Sequence, residues 1–244
     1  ISIIYMTNVS ILLPVYMRQN FVPFIIRNVK NQDYPQRLLE LVIDDDGPEP
    51  FIKPSDLEQF REIMAPVTVK YLQYDTRRSI GLKRNNLVKQ ASNHIVAMMD
   101  SDDIYQSTYI SHALDLMKTE KKGCVGSPDL ILLYEPFTNN DFYIIQCGSH
   151  QKHLIHECSM VFTKKWWRAS PKFSQTSRGE GLHIFLNNTN QVTCSDISKS
   201  MIQICHGENT IDKSQFKMET HKLNNIIIGE DIGNFIKDTI NSKI

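Results

Sequence analysis

Val96-Ala-Met-Met-Asp100-Ser-Asp102-Asp103 is an apolar run that ends on three carboxylates within four positions. Burying one carboxylate is costly and crowding three is worse, so a cation is the expected partner. Carboxylate oxygens suit hard divalent ions such as Mg²⁺ and Mn²⁺, which commonly keep a substrate phosphate as a further ligand. A short apolar strand places such a cluster at the carboxyl edge of a sheet, where open α/β folds bind ligands. The stretch therefore indicates an enzyme that acts on a phosphorylated or nucleotide-carrying substrate.

The first hundred residues alternate strand-like and helix-like segments. Strands are predicted at Val9–Val15, 38–43, 67–72 and 94–99, and helices at 21–29, 56–64 and 82–91. Ser55 is the predicted N-cap of the second helix. This alternation predicts right-handed βαβ units on a mainly parallel sheet, and near-continuous apolar strands are expected when both faces of a sheet are covered.

The second half of the chain has a looser pattern. A helix is predicted at 109–117, and shorter strands at Leu130–Tyr134, 142–146, 160–163 and Met201–Cys205. The tail carries one apolar helical stripe, for which we expect a closing helix packed on the core. The stripe consists of Ile232, Phe235, Ile236 and Ile240.

Composition limits the classes of function. The chain has 244 residues, of which 41% are hydrophobic and 22% charged, as is ordinary for a globular protein. Lys+Arg and Asp+Glu balance at 27 each, so bulk charge does not suggest a nucleic acid partner. No apolar run approaches the roughly 20 residues that span a bilayer. Five scattered cysteines without a Cys-x-x-Cys arrangement argue against a disulfide framework, and a cytoplasmic location is predicted.

Two motifs precede the acidic stretch, at a predicted strand end and a predicted helix start. In Asp44-Asp-Asp-Gly47, a carboxylate could accept hydrogen bonds from a base or a ribose, although a solvated acidic turn is equally consistent with the pattern. Ser79-Ile-Gly-Leu-Lys83-Arg84 puts two cations in the first turns of a helix, where the macrodipole disfavours them unless an anion is near. A bound diphosphate would supply that anion, and the alternative is a pair of solvated surface charges.

Asp100-x-Asp102-Asp103 also has two interpretations. Aspartate is a good N-cap, so the cluster could simply start a helix. Three carboxylates exceed what capping needs, and crowding like charges is costly, so metal binding is favoured.

Three further features could carry chemistry. Glu180 stands between glycines in Arg178-Gly-Glu180-Gly-Leu182, which leaves its side chain reachable for work as a general base. His206 follows a strand in Cys205-His-Gly-Glu-Asn-Thr210 and is a candidate metal ligand, although a lone histidine is more often structural. His150-x-x-His153-x-x-His156 could hold zinc on one helical face, but the helix pattern is poor and a solvated loop is preferred.

Together these motifs resemble a GT-A glycosyltransferase, most closely the inverting family 2 type. The resemblance covers residues 9 to about 210. Four segments carry it: Val9-Ser-Ile-Leu-Leu-Pro-Val-Tyr16, Val42-Ile-Asp-Asp-Asp-Gly47, Gly81-Leu-Lys-Arg-Asn85 and Met99-Asp-Ser-Asp-Asp103. It implies an α/β, Rossmann-like three-layer α/β/α fold with a mainly parallel central sheet and a smaller mixed second half. We expect a single catalytic domain, 1–244, with a nucleotide-binding half at 9–103, an acceptor half at 104–210 and a C-terminal helical extension at 211–244.

The resemblance also implies roles on the nucleotide side of the site. Pro14, Tyr16 and Asp45 would line the base pocket, with Asp44 or Asp46 as alternatives for Asp45.

Phosphate, ribose and metal contacts follow from the later motifs of the same resemblance. Arg84, with Lys83, would contact the base or the diphosphate, and Asp100 would contact the ribose. Asp102 would hold the Mn²⁺ or Mg²⁺ that bridges the diphosphate, with His206 as a further ligand.

On the acceptor side, Glu180 would be the base that deprotonates the acceptor hydroxyl. The family usually shows Glu-Asp at this point, and this chain has Glu180-Gly181, a departure that bears on the alignment of the base. Trp166-Trp167 resembles an aromatic acceptor platform, and an equal alternative is that both rings belong to the core.

The expected reaction is therefore metal-dependent transfer from a nucleoside-diphosphate sugar, preferably a UDP-sugar, to a glycan, protein or small-molecule acceptor. The expected transfer inverts the anomeric centre, and a retaining glycosyltransferase remains open because the start of the fold does not encode stereochemistry. Two other classes also remain open: a nucleotidyltransferase, and a non-catalytic sugar-nucleotide-binding module of a larger protein. Nucleotidyltransferases tend to carry a glycine-rich loop after the first strand, and Val15-Tyr-Met-Arg-Gln19 has no glycine.

Overall fold

A computed structural model describes residues 7–138, 141–148, 151–185, 188–207, 209, 213–214, 216, 221–222 and 230–241. His150, Glu208 and Thr210 of the sequence motifs lie outside the described residues, as does the side chain of Ile232.

The described strands and helices are as follows in chain order. The strands are β1 (Val9–Val15), β2 (Leu39–Asp45), β3 (Thr68–Gln73), β4 (Ile95–Met98), β5 (Ile104–Tyr105), β6 (Cys124–Gly126), β7 (Leu130–Tyr134), β8 (Phe142–Ile145), β9 (Val161–Thr163), β10 (Val192–Cys194), β11 (Met201–Cys205) and β12 (His221–Lys222). The helices are α1 (Val22–Lys30), α2 (Leu57–Met64), α3 (Ile80–Gln90), α4 (Tyr109–Thr119), α5 (Lys164–Ala169) and α6 (Glu230–Asn241).

A seven-stranded sheet forms the centre, in the order β10-β6-β9-β4-β1-β2-β3. All its pairings are parallel except those of β9, which runs antiparallel to β4 and β6. A second sheet has the order β12-β8-β7-β11-β5, in which only β7 and β11 are parallel neighbours. The predicted α/β architecture, with a mainly parallel sheet and a smaller mixed part, is confirmed.

The central sheet is covered on both faces because its strands are apolar at consecutive positions. On β1, Ile11 and Leu13 join a core cluster with Phe24 of α1 and Ile110 of α4, whereas Leu12 joins a second cluster with Leu87 of α3. Successive side chains of a strand point to opposite faces, so the continuous apolar run is buried from both sides. The result is a three-layer α/β/α arrangement, and it brings the carboxyl ends of β1, β2 and β4 to one edge.

The predicted elements of the first half are confirmed to within one or two residues, apart from the N-cap of α2. Ser55 lies in a 3₁₀ turn, Pro54–Asp56, and α2 starts after Asp56, so the N-cap prediction was wrong. The short elements β5, β6, β10 and α5 were not predicted, because two to six residues carry too little periodicity to recognise.

The tail forms the predicted closing helix. Phe235 of α6 stacks on Phe24 of α1 with ring centroids 5.1 Å apart, and Ile236 is fully buried in the same core cluster.

The sequence predicted neither a bilayer-spanning segment nor a disulfide framework. Within the described ranges, no helix combines the length and apolar character needed to cross a bilayer. The five cysteines are free thiols. The cytoplasmic location and the division into halves stay predictions.

Candidate active site

Two adjoining clefts open at the carboxyl edge of the central sheet. The first, of about 470 Å³, is bounded by the segment after β1, by Arg77 and Arg78, and by the start of α3. The second, of about 500 Å³, lies towards β7, β8 and the loop 173–182. Arg84, Asp100 and Asp102 line both clefts, as Ile80 and Ser177 also do, and form the charged part of the wall that the clefts share.

Pro14 and Tyr16 lie on the wall of the first cleft, and their contact with a base stays a prediction. Both are half-buried at the end of β1. The Arg77 guanidinium lies 4.1 Å from the centroid of the Tyr16 ring, a cation–π geometry. This end of the cleft therefore offers an aromatic ring and a cation side by side.

The acidic turn after β2 faces inward. Asp45 is fully buried and accepts hydrogen bonds from the backbone N–H of Phe51 at 2.7 Å, from that of Gly47 at 3.0 Å and from the Tyr71 hydroxyl at 2.5 Å. These contacts use both carboxylate oxygens to hold the turn. Asp45 is not among the residues that line the first cleft, whereas Pro14 and Tyr16 are, and its contact with a base stays a prediction.

Asp44 and Asp46, the alternatives for Asp45, also bind partners within the chain. Asp44 is ion-paired with Arg78 and accepts a hydrogen bond from Asn86 at 2.7 Å, while burial raises the pKa of Asp44. Asp46 accepts hydrogen bonds from the Lys83 ammonium and from the backbone N–H of Arg78. These two carboxylates hold cations that line the first cleft.

Lys83 lies at the start of α3 with only 2% of its surface exposed. Its ammonium donates to Asp46 and to the Val15 carbonyl, and burial lowers the pKa of Lys83. The anion that offsets the Lys83 charge near the start of α3 is thus the carboxylate of Asp46. Contact between Lys83 and a diphosphate stays a prediction.

Arg84 connects the two clefts through its hydrogen bonds. Its Nε donates to Glu180 Oε1 at 3.1 Å, and its Nη2 donates to Asp100 Oδ1 at 3.1 Å. Burial lowers the pKa of Arg84, but the charges of Asp100, Glu180 and Glu157 outweigh burial and raise it above the ordinary value. Nη1 is buried without a hydrogen-bond partner among the described residues. Arg84 is therefore a fixed cation with one donor group still available.

Asp100 lies beside Arg84 on the wall that the clefts share. Burial raises the pKa of Asp100, and the charge of Arg84 opposes that effect. The structure thus brings Asp100 and Arg84 together, and the contact of Asp100 with a ribose stays a prediction.

Asp102 and His206 are brought together across 104 positions of the chain. His206 Nε2 lies 3.3 Å from Asp102 Oδ2, and Asn209 and Arg18 each place a nitrogen 3.5 Å from the same oxygen. Burial opposes ionisation of Asp102, but the hydrogen bond with His206 and the charge of Arg18 hold its pKa well below the usual range.

Asp103 explains how His206 reaches this position. It is buried, its Oδ1 accepts a hydrogen bond from Ile204 N–H at 3.0 Å, and its backbone carbonyl accepts one from Asn28 at 2.8 Å. The bond from Ile204 joins β11 to the acidic stretch and the bond from Asn28 joins α1 to it, and His206 follows directly on β11. Burial raises the pKa of Asp103 to about 7.

The Asp102–His206 pair fits a divalent cation. Two ligand atoms at right angles around Mg²⁺ or Mn²⁺, with bonds of about 2.1 Å, lie about 3 Å apart, close to the observed 3.3 Å. A carboxylate oxygen and an imidazole nitrogen are both ordinary ligands of Mn²⁺.

A second group of ligand atoms, from Asp100, Asp103 and Cys158, lies within 4.8 Å. Burial raises the pKa of the Cys158 thiol far above its ordinary value, and Asp103 already bonds Ile204. Because metals bind the thiolate, we do not assign a metal site to this group.

Glu180 reaches the second cleft on a loop that packs against α3. The Asn85 side chain donates to the Phe173 carbonyl at 2.8 Å and accepts from Phe173 N–H at 3.1 Å, and Gly81 N–H donates to the Thr176 carbonyl at 3.0 Å. Glu180 is 6% exposed and lines the cleft while it pairs with Arg84.

The remaining sequence candidates do not form sites. Trp166 and Trp167 are 4% and 6% exposed within the core cluster around α3, which agrees with the core alternative rather than an acceptor platform. His153 and His156 lie in or beside two 3₁₀ turns, so the described part of the histidine series has no helical face on which to hold zinc.

With this geometry described, comparison with known proteins identifies the family. A family profile described as "Glycosyl transferase family 2" matches residues 10–159, more than half of the chain. This chain belongs to glycosyl transferase family 2. No curated protein gives a significant match.

Solved structures show the same fold for this family 2 chain. It is similar to the mannosyltransferase PcManGT from Pyrobaculum calidifontis, in complex with GDP-Man and Mn²⁺, with 14% identity, a TM-score of 0.59, and coverage of 84% of this chain and 59% of that chain. It is similar to S. aureus TarS 1-349 in complex with UDP, with 15% identity and a TM-score of 0.60. That match covers 94% of this chain and 69% of TarS 1-349. It is also similar to S. aureus TarS 1-349 in complex with UDP-GlcNAc, with 14% identity and a TM-score of 0.57. That match covers 96% of this chain and 65% of TarS 1-349. This chain therefore spans about three fifths of the mannosyltransferase.

Three residues that line the clefts were missed or undervalued from sequence. Arg18 and Arg77 line the first cleft, and Glu157 lines the second. Arg77 precedes the predicted helix start and could have been found from that position. Arg18 follows no motif, so the sequence carried no signal for it. Glu157 directly follows the histidine series that the sequence analysis assigned to a solvated loop.

Proposed function

We propose that this chain transfers a sugar from a nucleoside-diphosphate sugar to an acceptor hydroxyl with the aid of a divalent metal. The observation that carries the proposal is the shared wall of Arg84, Asp100 and Asp102 between a cation-rich cleft and a second, acidic cleft. A donor and an acceptor in the two clefts would meet at this wall, which is the arrangement that group transfer requires.

The first cleft is suited to the nucleoside diphosphate. Its lining includes Arg18, Arg77, Arg78, Lys83 and Arg84. Guanidinium groups bind phosphate oxygens through paired hydrogen bonds, and the unpartnered Nη1 of Arg84 offers one such donor. UDP is our preferred nucleotide, and a TarS structure of the same fold is solved with UDP.

Asp102 and His206 would hold Mn²⁺ or Mg²⁺ at the junction of the clefts. When bound, the metal would offset the charge that develops on the leaving diphosphate. The PcManGT structure of the same fold is solved with Mn²⁺. Arg84 would act on the same developing charge from α3, and Asp100 would bind the ribose.

The second cleft would receive the acceptor, which can be a glycan, a protein or a small molecule. Two carboxylates on its wall can take the proton of the acceptor hydroxyl: Glu180, which the sequence predicts, and Glu157. Attack by the hydroxyl oxygen on the anomeric carbon, opposite the departing diphosphate, would invert that centre in a single displacement.

A thermal-shift panel tests the donor class. UDP, GDP, dTDP and CMP are each added with and without Mn²⁺, because a ligand that binds only the native state raises its apparent stability. We expect a Mn²⁺-dependent rise with UDP, followed by release of UDP from a UDP-sugar. Folded protein that responds to none of the nucleotides would refute the proposal. Binding without turnover on any UDP-sugar or GDP-sugar would favour a non-catalytic binding module.

A further inference from the structure

Gly181 and Glu157 are in direct contact on the wall of the second cleft. Gly181 N–H donates a hydrogen bond to Glu157 Oε1 at 2.7 Å. A Cβ added at Gly181 would overlap this oxygen and lie 2.5 Å from Glu157 Cγ and 2.6 Å from its Cδ, and these three are the atoms nearest to it. The φ angle of Gly181 lies outside the left-handed region. The nearest obstacle to a side chain at position 181 is thus the Glu157 carboxylate itself.

The Glu157 carboxylate therefore lies where the side chain of any larger residue at position 181 would begin. It is half-buried on the second cleft, whose wall also includes Asp100, Asp102 and Glu180. Only its Oε1 has a hydrogen bond among the described residues. Glu157 thus combines access to the cleft with an oxygen that the described chain leaves available.

Glu180 is placed differently. It is 6% exposed, and its Oε1 accepts the hydrogen bond from Arg84 Nε. Arg84 is itself buried, and Asp100 is the other carboxylate bonded to it. A proton on Glu180 would remove one of these two charges from a buried cation, which is costly. A proton on Glu157 would remove only a charge that is not bonded to Arg84 and would leave both hydrogen-bonded ion pairs of Arg84 intact.

We propose that Glu157 is the base of the transfer reaction and that Glu180 positions Arg84. The inference rests on the proposed glycosyl transfer. The acceptor O–H gives its proton to Glu157 while its oxygen forms a bond to the anomeric carbon. The bond from that carbon to the diphosphate oxygen breaks, and its electron pair leaves with the nucleoside diphosphate. Glu157 then returns the proton to solvent.

Matched substitutions separate the two carboxylates. The assay follows release of nucleoside diphosphate from UDP-glucose, UDP-N-acetylglucosamine and GDP-mannose with Mn²⁺ and water as acceptor, together with the Kd for UDP. Glu157→Gln should lower the release rate about 100-fold or more and leave UDP affinity within about twofold, since a general base acts on rate. Glu180→Gln should weaken UDP binding as well as slow release, because Arg84 loses one of its two charged partners and is held less firmly. Glu62→Gln, on the exposed face of α2, is the control and should match wild type.

A double variant tests the location of the base. Glu157→Ala with Gly181→Asp puts a new carboxylate into the space that Glu157 vacates. It should release nucleotide at least about tenfold faster than Glu157→Ala alone, and it carries the test if Glu157→Gln fails to fold. No recovery in a double variant that binds UDP normally, or a near-normal rate for Glu157→Gln, would overturn the inference. Wild-type protein that neither binds nor releases a nucleoside diphosphate would instead refute the proposed function.

Discussion

Replacing Gly81 by alanine would disturb the contact that holds the loop 173–182 against α3. Gly81 is the second residue of α3, and an added Cβ would overlap the Ser174 carbonyl oxygen and lie 2.9 Å from its carbon. The same Cβ would lie 3.0 Å from Glu180 Cβ. Both Ser174 contacts are with backbone, so side-chain rotation cannot relieve them.

The size of the effect follows from this geometry. Real Cβ atoms stay at least 3.0 Å from such neighbours, so the loop and the helix must separate by about 1 Å or more. Overpacking of this kind costs about 1–3 kcal/mol. Alanine favours the helical conformation over glycine by about 1 kcal/mol, so helix propensity alone predicts that Gly81→Ala stabilises the protein. A displacement of about 1 Å at Glu180 would also break its bond with Arg84 and can slow catalysis about 100-fold.

Thermal unfolding and UDP release with Mn²⁺ check this prediction. For a chain of this size, each kcal/mol lowers Tm by about 2–4 °C. Gly207→Ala is the control, since an added Cβ there meets no described atom within 4 Å, and its Tm should stay near that of wild type. A Gly81→Ala protein with wild-type Tm and a release rate within about threefold of wild type would refute the packing of the loop on α3.

Three further predictions concern metal, stability and pH. Asp102→Asn should abolish the Mn²⁺-dependent part of the UDP thermal shift, as EDTA should in wild type, because the ligand beside His206 loses its charge. Lys83→Met should lower the free energy of unfolding in urea by about 3–5 kcal/mol, since Asp46 is left as a buried charge without this partner. His156 should make the protein less stable in acid, because burial lowers its pKa from 6.5 to about 4. Between these pH values the imidazole binds a proton in the unfolded chain but stays neutral in the native protein. The stability that His156 contributes is present above pH 6.5 and falls by about 3 kcal/mol as the pH drops to 4.

Each of these has a result that would contradict it. An undiminished Mn²⁺ effect in Asp102→Asn would remove Asp102 from the metal site. Lys83→Met with wild-type stability would show that the buried pair contributes nothing net. For His156, the comparison is His156→Gln, whose urea midpoint should depend less on pH between 4 and 6.5 than that of wild type; equal slopes would refute the assignment.

Local pattern in the sequence determined the order of the elements and the edge of the sheet that carries the site. Strand β1 is apolar at consecutive positions because both faces of the sheet are covered, and that property is visible without knowing any contact. The same logic placed Asp100, Asp102 and Arg84 near one edge, since parallel strands end together there. The apolar spacing of the tail likewise predicted α6.

Tertiary structure alone decided which of these side chains face a cleft. Asp45 is buried because the turn that follows it folds back and donates Phe51 N–H to its carboxylate. Glu157 and Gly181 meet because two separate loops converge, with 24 positions between them. A sequence period reports only which face of its own element a residue occupies, whereas such contacts depend on where distant loops pack. The sequence by itself therefore determined the scaffold and the kind of chemistry, and only the packing of the loops decided which carboxylates face the substrates.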